Sequence, residues 1–394
     1  MARIVRGMFA CSVVFLVALF SCNSLWRLKC DCFGGKSRGL PSREKVKDVL
    51  QGKMLWKSGF VDMNGGAVRL AGRRMCNERM LFQNGMSGYA SEWSKHGDDA
   101  RARAEDEIAA FDESLKQLGI PFLFVLVPLK MDLAGELVPQ GFPAYNPNGM
   151  GSQIAATVSE RGVRTLDMTS LLAATPDDVT RNYFRTDHHW RYRTALHAAC
   201  LVANELSEIL SVPDLRDHPR LQEGNWRWIT LPRSFLGSCG RRTGRLFAGV
   251  DDFEYALPKF DVTIDRSIKS KGVRVRGDFR KAEIVPSMVE VKAKPAANRY
   301  TAYTGTDVDV QRHVNCGAAV PIRVMLVKDS FGNPVAAFWA TVFKEVIQVD
   351  PRKLPKGTTA LDLARRYRPD VVVEMVNPGF LSAWSLGIQY ADLR

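Results

Sequence analysis

Short apolar runs alternate with amphipathic segments along much of this chain. The run 121–128 (PFLFVLVP) has no polar alternation, and further predicted strands lie at 324–327 (VMLV), 345–350 (EVIQVD) and 370–376 (DVVVEMV). Between them lie segments with apolar residues at helical spacing, such as 106–119 (DEIAAFDESLKQLG). Apolar strands without alternation are typical of a sheet covered on both faces. The pattern therefore predicts an α/β fold with a doubly wound, mostly parallel sheet and right-handed crossovers.

The segment 213–320 has a different pattern. It is rich in arginine and glycine, it contains no long amphipathic run, and short β-rich pieces occur at 272–279 (GVRVRGDF) and 287–293 (SMVEVKA). Both features favour strands over helices. We predict that this segment is a β-rich insertion into the parallel sheet.

The first residues have the pattern of a targeting segment. Arg3 and Arg6 precede an uncharged apolar run from Met8 to Phe20, as in a secretory signal peptide or an uncleaved signal anchor. Cys22 ends a loose lipoprotein cleavage box, so lipidation stays open. We expect residues 1–26 to be the signal or an apolar anchor helix, 27–54 a basic linker and 55–394 the folded domain.

The charge balance is strongly basic. Lys and Arg total 55 against 42 Asp and Glu, which gives a net charge of +13. Such an excess indicates either an anionic partner or solvated basic loops. The basic clusters at 27–47 and 266–281 are not interleaved with aromatic residues, which disfavours a nucleic-acid groove. No nucleic-acid partner is expected.

The eight cysteines form neither a CxxC pair nor a metal-ligand spacing. Cys76, Cys200, Cys239 and Cys316 are dispersed through the body of the chain. We expect them to be buried free thiols, although disulfide pairing stays open.

Ser330 lies three residues after the apolar run 324–327, where the predicted strand turns into the next predicted helix. Active sites of doubly wound sheets lie beyond the carboxyl ends of the strands, where helix-start N–H groups can face a developing oxyanion. Ser330 is therefore a candidate nucleophile. An ordinary helix N-cap is the alternative.

Adjacent histidines at 188 and 189 are unusual in a chain with six histidines. In an extended segment Asp187 and His189 project to the same side and His188 to the other. The Asp187 carboxylate can then hold Nδ1 of His189 while Nε2 takes a proton from a serine. A metal site of the DHH-phosphoesterase kind, with His197 as a further ligand, is the alternative. It lacks an upstream Asp-rich motif, so we expect no metal.

Two stretches together resemble a known family. YFRTDHHW (183–190) followed by VMLVKDSFGN (324–333) is similar to the DHHW proteins, relatives of the alginate O-acetyltransferases with an SGNH-hydrolase-like fold. Further pieces of the resemblance are VDMNGG at 61–66, VPLK at 127–130, FLGSCGRRTGRLF at 235–247 and DVVVEMVNP at 370–378. It covers roughly residues 55 to 394.

The resemblance implies roles for particular residues. Asp187 and His189 match the acid and base of the motif, and Ser330 matches the nucleophile. Gly237 and Asn377 are oxyanion candidates from their loop positions. The matching stretches supply further candidates for contact with substrate or support of the site: His188, Trp190, Tyr183, Lys130, Lys328 and Asp329. No cofactor is implied.

The resemblance also implies a function. It predicts an exported serine O-acetyltransferase or acetylesterase that acts on a polysaccharide or cell-envelope glycan, in the periplasm or at the cell surface and anchored to the membrane. A multi-spanning membrane acyltransferase is the expected acetyl supplier. The alternatives are a non-catalytic carbohydrate-binding or assembly protein on the same fold, and a metal-dependent phosphoesterase.

Overall fold

The computed structural model describes residues 57–89, 98–130, 137, 139, 147–318 and 320–381. Contacts divide the chain into residues 1–64 and 65–394. Of the first unit only residues 57–64, in the first described helix, are described. The predicted signal or anchor (1–26) and linker (27–54) lie outside the described residues. Within the described ranges no helix combines the length and hydropathy needed to cross a bilayer.

Helices and strands alternate through most of the described chain. The helices are α1 Lys57–Leu70, α2 Asp98–Gln117, α3 Pro147–Glu160, α4 Thr169–Leu172, α5 Pro176–Asn182, α6 Tyr192–Ile209, α7 Ser238–Thr243, α8 Arg245–Ala248, α9 Phe279–Glu283, α10 Pro286–Val289, α11 Gly332–Trp339, α12 Ala360–Tyr367 and α13 Pro378–Leu381. The strands are β1 Met75–Cys76, β2 Arg79–Leu81, β3 Ser87–Tyr89, β4 Phe122–Leu126, β5 Thr165–Asp167, β6 Trp226–Phe235, β7 Asp251–Pro258, β8 Ile264–Ile268, β9 Val273–Gly277, β10 Val310–Asn315, β11 Val320–Lys328, β12 Phe343–Val349 and β13 Val371–Val376.

An eight-stranded sheet lies in the unit 65–394, with its strands in the order β5-β4-β13-β11-β12-β10-β8-β9. The five strands from β5 to β12 pair in parallel. The remaining strands join antiparallel to one another and to β12. The predicted α/β class and the mostly parallel sheet are confirmed.

The central parallel strands are mostly apolar because both faces of the sheet are covered. In β4, Leu123 and Val125 belong to one hydrophobic core, while Phe122 and Phe124 belong to another on the opposite face. Residues of α6 and α11 complete the first core, and residues of α2, α3 and α12 complete the second. A strand with a core on each side has no polar face, which explains the missing alternation.

The predicted insertion at 213–320 is β-rich, but most of its strands are part of the main sheet. β8, β9 and β10 extend the sheet beyond β12, and only β6 and β7 form a separate two-stranded ribbon. Most of the predicted insertion therefore forms the antiparallel end of the same sheet. The alternation of apolar runs and helices in the sequence did not predict this.

The piece SMVEVKA was expected to be β-rich and instead begins with the helical turn α10, Pro286–Val289. Pro286 occupies the first turn of this helix, where a missing N–H costs nothing and the fixed φ is already helical. Local proline geometry outweighed the β propensity of the valines.

The cysteines of the described residues are all free thiols. Cys76 and Cys239 are buried as expected, whereas Cys200 is half-buried and Cys316 is exposed.

A buried lysine forms ion pairs near the ends of three neighbouring strands, β11, β12 and β10. Lys328 is fully buried at the end of β11, and its Nζ lies 2.8 Å from Asp307 and 3.5 Å from the buried Asp350. Arg352 also pairs with both carboxylates. Burial by itself would raise the pKa of Asp307, but the Lys328 and Arg352 charges and hydrogen bonds hold this pKa well below its usual value. The cluster therefore stabilises the ionised carboxylate.

We expect Lys328→Met to lower the free energy of unfolding by about 3 kcal/mol at neutral pH, because it removes the cation that pairs with the buried Asp350 and the half-buried Asp307. The exposed Lys353 provides the matched control, Lys353→Met, which should change stability little. Since the folded-state pKa of Asp307 is lowered, its stabilisation is present at neutral pH and is lost as the pH falls below about 4. Denaturant titrations at several pH values measure both effects, and equal losses in the two variants would contradict the account.

Candidate functional site

Polar side chains follow the ends of three neighbouring parallel strands. Lys130 comes four residues after β4, Ser330 two residues after β11, and Asn377 directly after β13. β13 pairs with both β4 and β11, so these residues meet at the carboxyl edge of the sheet. This is the edge at which ligands of such sheets bind.

The histidine-bearing segment is a closed loop rather than an extended strand. Tyr183 and Trp190 form an isolated antiparallel bridge, and residues 185–189 between them are bends. The Asp187 side chain accepts a hydrogen bond from the N–H of His189 at 3.0 Å. An aspartate that bonds the backbone two residues on makes a tight turn of its own. The expected extended geometry, with His188 on the opposite side, was wrong for this reason.

Two buried side chains outside the motif hold this loop in place. The Asp251 carboxylate accepts hydrogen bonds from the N–H groups of Arg185 and Thr186 and from the Thr186 hydroxyl, at 2.6–2.8 Å. The Lys130 ammonium donates to the carbonyl oxygens of Phe184 and Arg185, at 2.9 and 3.1 Å. Both side chains therefore hold the loop backbone, and the buried Lys130 contacts the loop rather than solvent.

The turn before α7 binds the other oxygen of Asp187. The N–H of Ser238 donates to Oδ2 of Asp187 at 2.6 Å, and the N–H of Gly237 donates to the hydroxyl of Thr186 at 2.8 Å. A Cβ on Gly237 would lie 2.3 Å from Cβ of Asp187, so only glycine permits this approach. Gly237 therefore positions the aspartate, and its N–H is not available as the oxyanion donor proposed from the sequence.

Asp187, His189 and Ser330 form one hydrogen-bonded chain. Nδ1 of His189 lies 2.6 Å from Oδ1 of Asp187, and Nε2 lies 2.7 Å from Oγ of Ser330. Asp187 and His189 are buried, and Ser330 is half-buried. Burial by itself would raise the pKa of Asp187, but the interaction with His189 and the hydrogen bonds from the ring and N–H of His189 hold this pKa well below its usual value. An ionised carboxylate thus orients the imidazole, which is bonded to the serine hydroxyl.

A second aspartate turn presents Ser330. Oδ1 of Asp329 accepts from the N–H of Phe331 at 2.8 Å, and Oδ2 accepts from the backbone and side-chain N–H groups of Asn377, at 2.7 and 2.5 Å. Burial raises the pKa of Asp329, and these donors oppose that rise. The N-cap of α11 is Phe331, without a side-chain cap. Ser330 is therefore not an N-cap serine, and its hydroxyl is bonded to His189 instead.

Aromatic rings hold the imidazole of His189. The Tyr300 ring stacks on it with a centroid distance of 3.7 Å and an interplanar angle of 11°. Phe331 contacts it at 4.8 Å, again between centroids. Tyr300 lies in a 3-10 turn, Arg299–Thr301, where the buried Arg299 donates to four carbonyl oxygens. Tyr300 could not be predicted from the sequence, because it is more than a hundred residues from the motif and no spacing marks it.

His188 lies beside His189 rather than opposite it. The two ring centroids are 3.7 Å apart, and Nδ1 of His188 lies 2.6 Å from Oγ of Ser238. Burial lowers the pKa of His188 well below its usual value, and the charge of His189 lowers it further. His188 is thus a neutral ring that packs against His189 and the start of α7.

The side chains of the candidates Tyr183, Trp190 and Lys328 contact other protein groups. The Tyr183 hydroxyl donates to the carbonyl oxygen of Pro128 at 2.5 Å, and burial raises its pKa well above the usual value. Trp190 is fully buried, with its ring packed edge-on against Phe331 at 5.3 Å. Lys328 belongs to the buried ion cluster described above. These three residues pack beneath the site and contact protein groups.

One cluster offers metal-ligand atoms within the described part of the chain. Atoms of Asp187, His188 and His189 lie within 4.8 Å of one another. However, both ring nitrogens of His189 already bond to Asp187 and Ser330, and His197 is exposed on α6 rather than in the cluster. The donor set therefore fits an acid–base pair better than a metal site.

Comparison with known proteins supports the resemblance seen in the sequence. Residues 86–224 match the family model of the SGNH hydrolase-like domain of acetyltransferase AlgX. The match includes the loop at 185–189 but not Ser330. No curated protein matches the chain.

Solved structures share the fold at low sequence identity. PatB1 of Bacillus cereus has a TM-score of 0.59 and 17% identity, over 75% of this chain and 94% of that chain. A DHHW family protein from Eubacterium siraeum also has a TM-score of 0.59 and 17% identity, over 81% of this chain and 97% of that chain. The resemblance to the DHHW proteins and to the SGNH-hydrolase-like relatives of the alginate enzymes is confirmed.

We expect Gly237→Ala to lower the rate of ester hydrolysis by about a hundredfold or more, because the new Cβ displaces Asp187 from His189. Gly224→Ala is the matched control, since nothing lies within 4 Å of the added Cβ. Rates with p-nitrophenyl acetate, measured on variants with matching circular dichroism, test this. Full activity in folded Gly237→Ala would show that the position of Asp187 does not matter for catalysis.

Proposed function

We propose that this protein, with its likeness to the SGNH-hydrolase-like acetyltransferases, is an exported serine O-acetyltransferase that modifies a polysaccharide or cell-envelope glycan. The observation that carries the proposal is the hydrogen-bonded chain from Asp187 through His189 to Ser330. This order of acid, base and hydroxyl is the arrangement of serine acyl-transfer catalysis. The matched acetyltransferase model supports an acetyl group as the acyl unit.

The first half of the reaction forms an acetyl-enzyme. Ser330 Oγ attacks the carbonyl carbon of an acetyl donor while its proton passes to Nε2 of His189. The Asp187 carboxylate stabilises the imidazolium that results. When the tetrahedral intermediate collapses, the bond to the leaving group breaks and the leaving group takes the proton from His189. Acetylated Ser330 and a neutral imidazole remain.

The second half transfers the acetyl group. A sugar hydroxyl attacks the acetyl carbon and gives its proton to His189, and the intermediate then collapses to release Ser330, which regains that proton. Water in place of the sugar gives net acetyl hydrolysis, the acetylesterase reaction. The choice between the two depends on how well an acceptor excludes water from the site.

Two groups at the turn of Ser330 are candidates to stabilise the oxyanion. The N–H of Ser330 has no acceptor among the described residues, and it adjoins the reacting oxygen. The side-chain amide of Asn377 uses one N–H on Asp329 and carries a second. Preorganised donors of this kind commonly contribute about 10²–10³-fold to the rate.

A non-catalytic carbohydrate-binding protein could have the same fold, but its function would not require the hydrogen-bonded chain from Asp187 to Ser330. A protein that only binds glycan gains nothing from a serine that contacts a buried, carboxylate-oriented imidazole. The phosphoesterase alternative is tested by the metal arm of the experiment below.

Ser330→Ala and His189→Ala should each lower turnover by about 10³-fold or more, and the double variant should be no worse, because the residues act as a unit. His188→Ala should cost on the order of tenfold through the position of its neighbour. His197→Ala, an exposed histidine on α6, is the matched control and should retain full activity. The assay follows acetyl transfer from p-nitrophenyl acetate to oligosaccharides by mass spectrometry.

Two outcomes would contradict the proposal. Turnover by the Ser330→Ala variant at the wild-type rate would exclude the serine mechanism. Activity that is lost on chelation and restored by manganese or zinc would favour the metal-dependent alternative at Asp187, His188 and His189.

A further inference from the structure

A surface of arginines and exposed leucines lies at one flank of the site. The end of α1 and the turn after it pack on α7 and α8: a Cβ on Gly66 would lie 3.0 Å from the Leu246 side chain, and the Asn77 side-chain amide donates to the carbonyl oxygen of Arg242 at 2.7 Å. Residues 65–78 and 238–249 therefore form one continuous surface. We refer to its exposed side chains as the Arg–Leu surface: Leu70, Arg73, Arg74, Met75, Arg242, Arg245 and Leu246.

Three apolar side chains of the Arg–Leu surface are exposed to solvent. Leu70 is 92% exposed and Leu246 is 60% exposed. Leu70 follows Gly66 by four residues, so it lies one turn along the same face of α1, the face that Leu246 touches. Met75, 40% exposed, begins the strand after the turn. A single exposed leucine needs no explanation, but several exposed apolar side chains on one surface indicate a contact site.

The same surface is strongly positively charged. Residues 65–78 and 238–249 contain six arginines and one acidic residue, Glu78. Arg73, Arg74, Arg242 and Arg245 are all exposed. A partner of this surface therefore carries negative charge and also accepts leucine side chains.

We propose that the Arg–Leu surface binds the surface of an anionic lipid bilayer. Leucines that protrude among arginines fit the boundary between headgroups and acyl chains, where the side chains leave water while the guanidinium groups contact lipid phosphates. A polyanion in water, such as an acidic glycan, would satisfy the arginines but leave the leucines exposed. The bilayer satisfies both kinds of side chain.

The surface would orient the candidate active site. α7 begins at Ser238, whose N–H bonds to Asp187 and whose hydroxyl contacts His188, and Arg242 lies one turn further along the same helix. Contact of α7 and α8 with lipid thus holds the site at a fixed height and angle above the membrane. This inference does not depend on the catalytic role of Ser330, and its test uses no enzymatic readout.

The experiment measures the depth of residue 246 in the bilayer. The full chain, with an environment-sensitive fluorescent amino acid at residue 246, is mixed with vesicles of phosphatidylglycerol and phosphatidylcholine that carry spin-labelled acyl chains. The label at residue 246 should be strongly quenched, whereas the same label at residue 171, in place of the 49% exposed Leu171 on α4, should not. The comparison of two sites in one chain is independent of any attachment through the N-terminal segment.

Charge reversal tests the role of the arginines. Arg73→Glu with Arg242→Glu should reduce quenching at residue 246 by at least tenfold, since each arginine near an anionic surface contributes about a fivefold change in affinity. Arg276→Glu with Arg280→Glu, exposed arginines of β9 and α9, is the matched control and should leave the quenching unchanged.

Three results would overturn the proposal. Equal quenching at residues 246 and 171 would mean that this face does not approach the bilayer. An equal effect of the control pair would mean that net charge alone matters. A label at residue 246 that is shielded from water without vesicles would mean that protein, the chain's own N-terminal segment or a second copy, covers the surface instead.

Discussion

A single buried carboxylate, that of Asp187, joins the two parts of the chain that form the candidate site. It accepts hydrogen bonds from the backbone and ring of His189 and from the backbone of Ser238, which is about fifty residues away. The approach is possible because Gly237 has no side chain. With these contacts in place, the imidazole can point only toward Ser330. Much of the surrounding structure, including Asp251 and Lys130, keeps this loop from moving.

The same hydrogen-bonded aspartate turn occurs twice. Asp187 bonds the N–H of His189 and Asp329 bonds the N–H of Phe331, so that each aspartate makes a turn over the next residue. One turn fixes the base and the other presents the serine. Both aspartates are buried, and each has backbone donors for its oxygens, which makes the turns rigid. The reacting groups are thus positioned by backbone hydrogen bonds rather than by flexible side chains.

The sequence predicted what depends on short-range pattern. Apolar runs predict the central parallel strands because burial on both faces leaves few polar positions, and strand ends predict where Ser330 lies. Contacts between distant segments left no such pattern: Tyr300, which stacks on His189, and Asp251, which fixes the loop, have no spacing to the motif. The aspartate turn at 187 was misread as a strand because the i to i+2 relation occurs in both. The sequence identified Gly237 as an oxyanion candidate, but its N–H bonds to Thr186 and its missing side chain makes room for Asp187.

The central claim is that Ser330 carries the acetyl group between donor and acceptor. Mixing the full chain with p-nitrophenyl acetate and quenching with acid within the first turnover traps any covalent intermediate for peptide mass spectrometry. The account predicts one added acetyl group on the peptide that contains Ser330, which forms with the burst of nitrophenol and disappears when an acceptor glycan is added. Acetyl on another residue, or a burst without any adduct, would contradict it.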